Sequence, residues 1–354
     1  MLPPRLPEHD KEMTSAPKPA DGDFSPAAPM VSVLMITYNH EPFIAQAIES
    51  VLAQQTSFPI ELVIGEDHSQ DRTLEIALDF QSRHPDRIRV LTSETNLGAQ
   101  RNFGRTFEAC RGKYIALLEG DDYWTAPDKL QKQVDFLESH PAFVAAAHNA
   151  AVIDDAKKAQ AELYSSHTSD RLTNEDFLTF NHVPTCSVMF RRNVVARLPE
   201  WFFQVPAGDW VLHILNTRLG DMHYDPQPMA CYRSHAGGMW SGMARSRQLQ
   251  AVVDIYEHLL RELGPEYQAR LHQLMSLRLR DLMYQCEKED DINGARQALS
   301  RYGRLNAWRP ALLRPDLLLA RFRFYAPGAY GVARRLKSAL FGASDKPAAR
   351  TLSA

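Results

Sequence analysis

Glu119, Asp121 and Asp122 put three carboxylates into four consecutive positions. Like charges this close repel unless something positive joins them. A hard divalent cation, Mg²⁺ or Mn²⁺, takes oxygen ligands and can bridge to a diphosphate. Taken alone, the same acids also read as a solvated acidic turn before a helix starting near Pro127. Their setting favours cation chemistry. They end an apolar run at 114–118, of strand length and too short for a membrane span, and they precede Tyr123 and Trp124. Buried parallel strands deliver side chains at their carboxyl ends, where open α/β sheets bind ligands.

The elements that must position these acids follow from periodicity. Residues 31–37, VSVLMIT, form a continuous apolar run of the kind found in buried parallel strands. After the turn TYNHEP, residues 43–54 show a helical face of Ile44, Ala47, Ile48, Val51 and Leu52. Strands are predicted at 60–65, 88–91 and 114–118, with a fifth at 143–148, and helices over 73–82 and from 96–102 to Cys110. This alternation predicts a mostly parallel sheet covered on both faces. A dinucleotide-binding dehydrogenase shares the rhythm but needs G-x-G-x-x-G where this chain has TYNHEP. A nucleotidyltransferase needs a glycine-rich basic loop in the same place, and none is there.

The second half is less regular. Residues 154–170 read as a polar loop, and Thr173 with Asp176 as a capping box. Residues 185–190 read as a strand, 208–219 as a helix opened by Gly208, Asp209 and Trp210, and 222–232 as extended chain. His148 closes the fifth predicted strand and is placed where it can face an acceptor cleft. From about 244 onward the pattern is helical: 249–263, 267–287 and 293–305.

A net charge of −3 removes a global electrostatic case for nucleic acid binding. Cys110, Cys186, Cys231 and Cys286 stand far apart, without zinc spacing, and read as core thiols suited to a reducing cytosol. Residues 1–30, rich in proline and charge, read as a disordered tail without a secretory h-region. No run approaches the ~20 apolar residues of a spanning helix. Residues 308–341 carry seven Lys and Arg against the single acid Asp316. They read either as a helical appendage with a solvated basic face or as an interfacial segment on anionic lipid. The expected location is cytoplasmic, with peripheral contact at the inner membrane face as the second option.

Taken in order, the motifs from about 31 to 241 resemble the family 2 glycosyltransferases, inverting enzymes of the GT-A fold that use nucleotide-activated sugars. The resemblance implies a catalytic domain over 31–243 followed by a helical basic region, 244–354. It implies that Thr37, Tyr38 and Asn39 line the nucleotide pocket and that Asp67, in GEDHSQDRT, contacts the base. Asp71 suits the start of the next helix better, and the role of Glu66 stays open. Asn96, Gly98, Arg101 and Asn102 match an N-x-G-x-x-x-N segment. There Gly98 would allow close backbone approach and Arg101 would offset phosphate charge.

Glu119, Asp121 and Asp122 match the D-x-D-type signature, written here as E-x-D-D. The resemblance makes Asp122 the direct ligand of Mn²⁺ or Mg²⁺ and puts Asp121 on ribose or on the shared metal, with Glu119 open. Tyr123 and Trp124 would stack on sugar or seal the core. Asp209, in AGDW, becomes the general base, although aspartate at a helix start is equally a capping residue. His235, in YRSHAGGMWS, would complete the metal shell or touch the diphosphate, and Arg233, Gly237 and Gly238 would belong to a loop closing over the donor. The implied reaction moves a sugar from a nucleoside-diphosphate sugar to a hydroxyl of a glycan or lipid-linked glycan, in cell-surface polysaccharide synthesis. A non-catalytic nucleotide- or glycan-binding relative, or a nucleotidyltransferase, is the alternative.

Overall fold

The apolar run at the start of the domain forms β1 (Val31–Thr37), and strands and helices then alternate through α1 (Ile44–Leu52), β2 (Ile60–Glu66), α2 (Thr73–Arg83), β3 (Ile88–Leu91), α3 (Ala99–Ala109) and β4 (Tyr114–Leu117). β5 (Tyr123–Trp124), α4 (Lys129–Ser139), β6 (Phe143–Asp154), β7 (Glu162–Leu163), β8 (Arg171–Leu172), α5 (Asn174–Thr179), β9 (Met189–Arg191), α6 (Gly208–Thr217) and β10 (Asp221–Ser234) follow. The computed structural model describes residues 28–154, 162–195, 197–235, 238–240 and 242–306. The expectations for the tail before residue 28, for the basic segment 308–341 and for Gly237 lie outside these residues. The chain divides into two compact units, Met1–Gly242 and Met243–Ala354.

In the first unit the strands lie in the order β3-β2-β1-β4-β9-β6-β10-β5, with β7 on β6 and β8 on β10. β3, β2, β1 and β4 are parallel, as the alternation requires. The fifth predicted strand does not lie beside the fourth. β9 enters between them, antiparallel to both β4 and β6. The strand expected at 185–190 is consequently short: Thr185–Ser187 make a 3-10 turn, because the Ser187 amide and hydroxyl both donate to the Pro184 carbonyl. β6 runs on to Asp154 along β10, so His148 lies mid-strand and fully buried instead of facing a cleft. The loop expected at 154–170 includes β7, which pairs with β6.

Alternation along β1 explains both faces. Val31, Val33 and Met35 pack with Ile44, Ala47, Ile48 and Val51 of α1 and with Leu62 and Ile64 of β2. Each Val, Leu, Ile or Met side chain among them contributes about 1.5–3 kcal/mol when fully buried. Phe103 and Phe107 of α3 meet Phe202 and Phe190, with ring centroids 5.7 and 6.3 Å apart. All four cysteines are free and buried. The capping box forms as expected, with the Thr173 amide 2.8 Å from Asp176 Oδ2.

The second unit holds α7 (Arg245–Glu262), α8 (Pro265–Lys288) and α9 (Ile292–Leu305). Val253, Tyr256, Leu271, Leu279 and Ala298 are buried in it, and Arg301 ties α9 to Asp254 and Glu257 of α7 at 2.8 Å. Among the described residues no helix is long and apolar enough to cross a membrane.

At the amino ends of the strands Glu61 is buried and accepts from Ser32 Oγ at 2.6 Å and from Arg111 Nε and Nη2 at 3.0 and 2.7 Å. Burial alone would raise its pKa, but the bonds from Arg111 and Ser32 outweigh burial and hold it below the ordinary carboxylate value. A depressed folded-state pKa stabilises the fold above the unfolded value, and the benefit disappears as pH falls through the folded one. Arg111 is largely exposed, which discounts the pair. Glu61→Gln should therefore cost about 1–2 kcal/mol in urea unfolding at neutral pH. The difference from wild type should shrink as the pH is taken below about 4.

Candidate active site

The acidic turn is set by the carboxyl ends of β1 and β4. The Gly120 amide donates to the Ile36 carbonyl at 3.0 Å, and the Asp122 amide to the Glu119 carbonyl at 3.2 Å. A Cβ at Gly120 would lie 2.5 Å from Thr37 Oγ1 and 2.9 Å from His40 Nδ1, so only glycine lets the turn press onto the β1 exit. The turn gathers Glu119, Asp121 and Asp122, each offering an oxygen within 4.8 Å of the others.

Their environments differ sharply. Asp121 Oδ2 accepts from His235 Nε2 at 2.9 Å and lies 3.7 Å from His40 Nε2. Asp122 Oδ1 accepts from the Arg233 amide at 2.8 Å, and the Arg233 guanidinium reaches the Asp121 carbonyl at 2.8 Å and the Gln46 side chain. Asp121 Oδ1 and Asp122 Oδ2 are buried without a hydrogen-bond partner. Burial first, and then the charges of Asp121, Asp122 and Asp209, push Glu119 well above the usual carboxylate range. Burial and the Asp121 charge do the same to Asp122. Asp121 goes the other way: burial would raise it, but the His235 bond and the nearby His40 prevail. Two orphaned oxygens beside carboxylates that resist ionising together fit a divalent cation. His235, expected to complete the metal shell or touch the diphosphate, is bonded to Asp121 Oδ2 beside that trio.

The remaining expected residues fall into two groups. Thr37 ends β1, buried, with Oγ1 unpartnered beside the acidic turn. Asp67 is buried at the exit of β2, and its two oxygens accept from the Leu97 and Gly98 amides at 2.8 and 2.9 Å. It thereby ties the Asn96–Gly98 turn to the end of β2, and Asn96 Oδ1 also accepts from Gly98. Gly98 has φ +84°, and a Cβ added there would meet nothing within 4 Å. A left-handed backbone by itself demands the glycine.

The second group serves the scaffold or faces outward. Asn39, at φ 55°, spends its amide oxygen on the Gln70 amide at 2.8 Å, and Tyr38 is exposed. Asp71 accepts from Thr73 and from the Glu41 amide at the start of α2, in line with the helix-start reading. Glu66 accepts from the His68 and Ser69 amides. Arg101 is exposed, its guanidinium 6.0 Å from the Phe203 ring. Arg105 is the arginine that joins the strand ends, bonding Asn102 Oδ1 at 2.9 Å and the Glu66 carbonyl at 2.7 Å. Trp124 seals the core with its indole on the Cys186 carbonyl, while Tyr123 packs 4.8 Å from the Arg233 guanidinium.

Asp209 sits in the first turn of α6 but does not cap it: the N-cap is Ala207, with no side-chain cap bond. Its Oδ2 instead accepts from Asn181 Nδ2 at 2.9 Å and Thr185 Oγ1 at 3.3 Å, both contributed by the segment leading to β9. The half-buried carboxylate lies near enough to Glu119 for its charge to act on it. One turn further on, His213 is fully buried with both ring nitrogens unpartnered, and burial pushes it down to about 4 against the pull of Asp209. Sequence reasoning missed His40, Asn181, Thr185 and Arg105. Only His40 left a signal, its place in the turn after the first strand.

A mixed sheet with this order, carrying an acidic turn beyond β4, defines the GT-A class of fold. S. aureus TarS 1–349 in complex with UDP-GlcNAc superposes with a TM-score of 0.59 at 17% identity, over 86% of this chain and 91% of that one. The mannosyltransferase PcManGT from Pyrobaculum calidifontis, in complex with GDP-Man and Mn²⁺, gives 0.53 at 18% identity, over 94% and 91%. Residues 32–198 match the family described as Glycosyl transferase family 2. An uncharacterized protein of Mycobacterium tuberculosis (strain ATCC 25618 / H37Rv) is 36% identical over 222 residues. The match covers 62% of this chain and 62% of that relative, so the chain spans under two thirds of that relative's length.

A carboxyl whose folded-state pKa is raised destabilises the fold as pH climbs above its unfolded value. Asp122→Asn should therefore melt higher than wild type in metal chelator at pH 7–8, with the gap closing toward pH 4. Added Mn²⁺ should raise the melting point of wild type but not of the variant, as differential scanning fluorimetry would reveal.

Proposed function

We propose that the chain is an inverting glycosyltransferase, moving a hexosyl or related sugar from a nucleoside-diphosphate sugar to a hydroxyl of a glycan or lipid-linked glycan of the cell-surface polysaccharide type. The observation that carries this reading is a trio of crowded carboxylates with two orphaned buried oxygens, near enough to Asp209, itself withheld from helix capping, for the charges to interact. The catalytic domain is proposed to span 31–243, with 244–354 as the helical region that follows it in the chain.

In this reading Glu119, Asp121 and Asp122 would hold Mn²⁺ or Mg²⁺, which would supply positive charge to offset that of the leaving diphosphate. His235 and His40 steady Asp121, and the Arg233 amide steadies Asp122, so the carboxylates keep one geometry. Thr37, Asp67 and the Asn96–Gly98 turn form the nucleoside side of the cleft. Asn181 and Thr185 orient Asp209 toward the acceptor hydroxyl. Asp209 takes the proton as the acceptor oxygen forms its bond to C1. The bond from C1 to the diphosphate oxygen breaks on the opposite face, and the electron pair leaves with the diphosphate. Attack opposite the leaving group inverts C1. One carboxylate suffices, because the leaving group needs no protonation, unlike the alcohol released in glycoside hydrolysis.

UDP and GDP, the nucleotides bound by the two neighbours, are the first ligands to test, by calorimetry with Mn²⁺. Asp209→Asn is expected to bind the preferred nucleotide with Mn²⁺ within about twofold of wild type while turnover falls about 10²–10⁴-fold. Turnover close to wild type would remove Asp209 as the base, and absence of any Mn²⁺-dependent nucleotide binding would remove the whole reading.

A further inference from the structure

A second concentration of charge lies at the amino ends of the strands, the edge of the sheet opposite the acidic turn. There an open cavity of about 310 Å³ is lined by Glu61 of β2, Gln81 of α2, Asp86 and Arg87 of the turn before β3, Arg89 of β3, and Arg111 just before β4. The seven residues of β2 put roughly 20 Å between this edge and the carboxyl edge. The transfer reaction uses none of these side chains.

Glu61 cannot neutralise the three arginines around it. Its Oε1 accepts from Ser32 Oγ at 2.6 Å and from the Arg111 amide at 2.9 Å, and its Oε2 accepts from Arg111 Nε and Nη2 at 3.0 and 2.7 Å. A carboxylate offers about four lone-pair sites, so these bonds spend its accepting capacity. Arg89 Nη2 stands 3.5 Å from the same Oε2 and donates to the Ala109 carbonyl, which fixes its guanidinium. Its Nε is buried without a partner.

Other donors are left over as well. Among the described residues the Arg87 guanidinium and Arg111 Nη1 have no hydrogen-bond partner. Gln81 Oε1 is taken by the Val90 amide at 2.6 Å, which leaves its Nε2 as a spare donor. The second carboxylate, Asp86, is exposed at the rim. Three guanidinium groups against Glu61 and Asp86 leave the cavity one positive charge in excess.

Guanidinium forks match the oxygens of a phosphate, and arginines already held by other bonds lose little freedom on binding one. Spare donors on four side chains suit the three or four oxygens of a phosphate better than the two of a carboxylate. The volume lies at the small end of ligand pockets, about 300–1,000 Å³, and admits a phosphate carrying a small organic group.

We propose that this cavity is a second ligand site, which binds a phosphate group through Arg87, Arg89 and Gln81, with Arg111 held at its wall by Glu61. The site is independent of the acidic turn and of the glycosyltransferase reading. A soluble phosphate ester and a lipid headgroup present the same chemistry, and the test separates them.

The test uses the full chain in metal chelator, so that the acidic turn repels anions. Inorganic phosphate is titrated by calorimetry at constant ionic strength set with chloride. Wild type should bind with a Kd on the order of 1 mM. Arg87→Gln breaks no bond within the chain, so its melting point should hold while binding weakens about five- to tenfold. Asp86→Asn should tighten binding about twofold. Arg87-dependent pelleting with phosphatidylcholine vesicles that contain phosphatidic acid would assign the phosphate to a headgroup. Phosphate binding without pelleting would assign it to a soluble ester. No saturable binding at twenty times the expected Kd, or equal binding by wild type, Arg87→Gln and Asp86→Asn, would overturn the proposal and leave the glycosyltransferase reading untouched.

Discussion

Electrostatic crowding at the end of β4 governs the first unit. Glu119, Asp121 and Asp122 cannot all ionise within 4.8 Å in a buried turn without a counter-charge. The protein supplies part of it from a distant segment, Arg233 and His235 at the end of β10, while His40 of the turn after β1 lies 3.7 Å from Asp121 with its pKa lowered by burial. These donors take one oxygen of Asp121 and one of Asp122 and leave the other two bare. The stabilisation by the protein itself is incomplete. Strain of this kind is tolerated where a ligand completes it, as at many functional sites.

The topology explains how separate segments reach one place. β1, β2 and β4 are parallel and adjacent, so Thr37, Glu66 with Asp67, and the acidic turn emerge at the same edge. The antiparallel β9 then crosses between β4 and β6, and the segment entering it carries Asn181 and Thr185 to Asp209. β10 runs beside β6 and returns Arg233 and His235 to the acids. A uniformly parallel sheet would have set β6 against β4 and given the segment bearing Asn181 and Thr185 no route back to that edge.

Second contacts decide which residues stay available to a ligand. Asp67 and Asn96 are occupied in shaping the turn at Gly98, Asn39 in bridging to Gln70, and Arg105 in pinning the ends of β2 and β3. Carboxylate oxygens have lone pairs to spare, so Asp67 can brace the loop and still accept from a base.

The sequence alone determined the parallel half of the sheet, the helices between its strands, the capping box at Thr173 and the three-helix character of 245–305, because periodicity and short-range hydrogen bonds are local properties. It also singled out the acidic turn and Asp209, since residue types at the ends of apolar runs carry chemical meaning before any fold is known. Tertiary structure decided what no spacing encodes. It put β9 between β4 and β6, buried His148, turned Arg105 rather than Arg101 inward, and set His235 on Asp121 outside the trio. It also gave Asp209 the partners Asn181 and Thr185 instead of a helix cap. Those outcomes depend on contacts between segments 24 to 114 residues apart, and the free energy of such contacts is set by packing and desolvation in three dimensions.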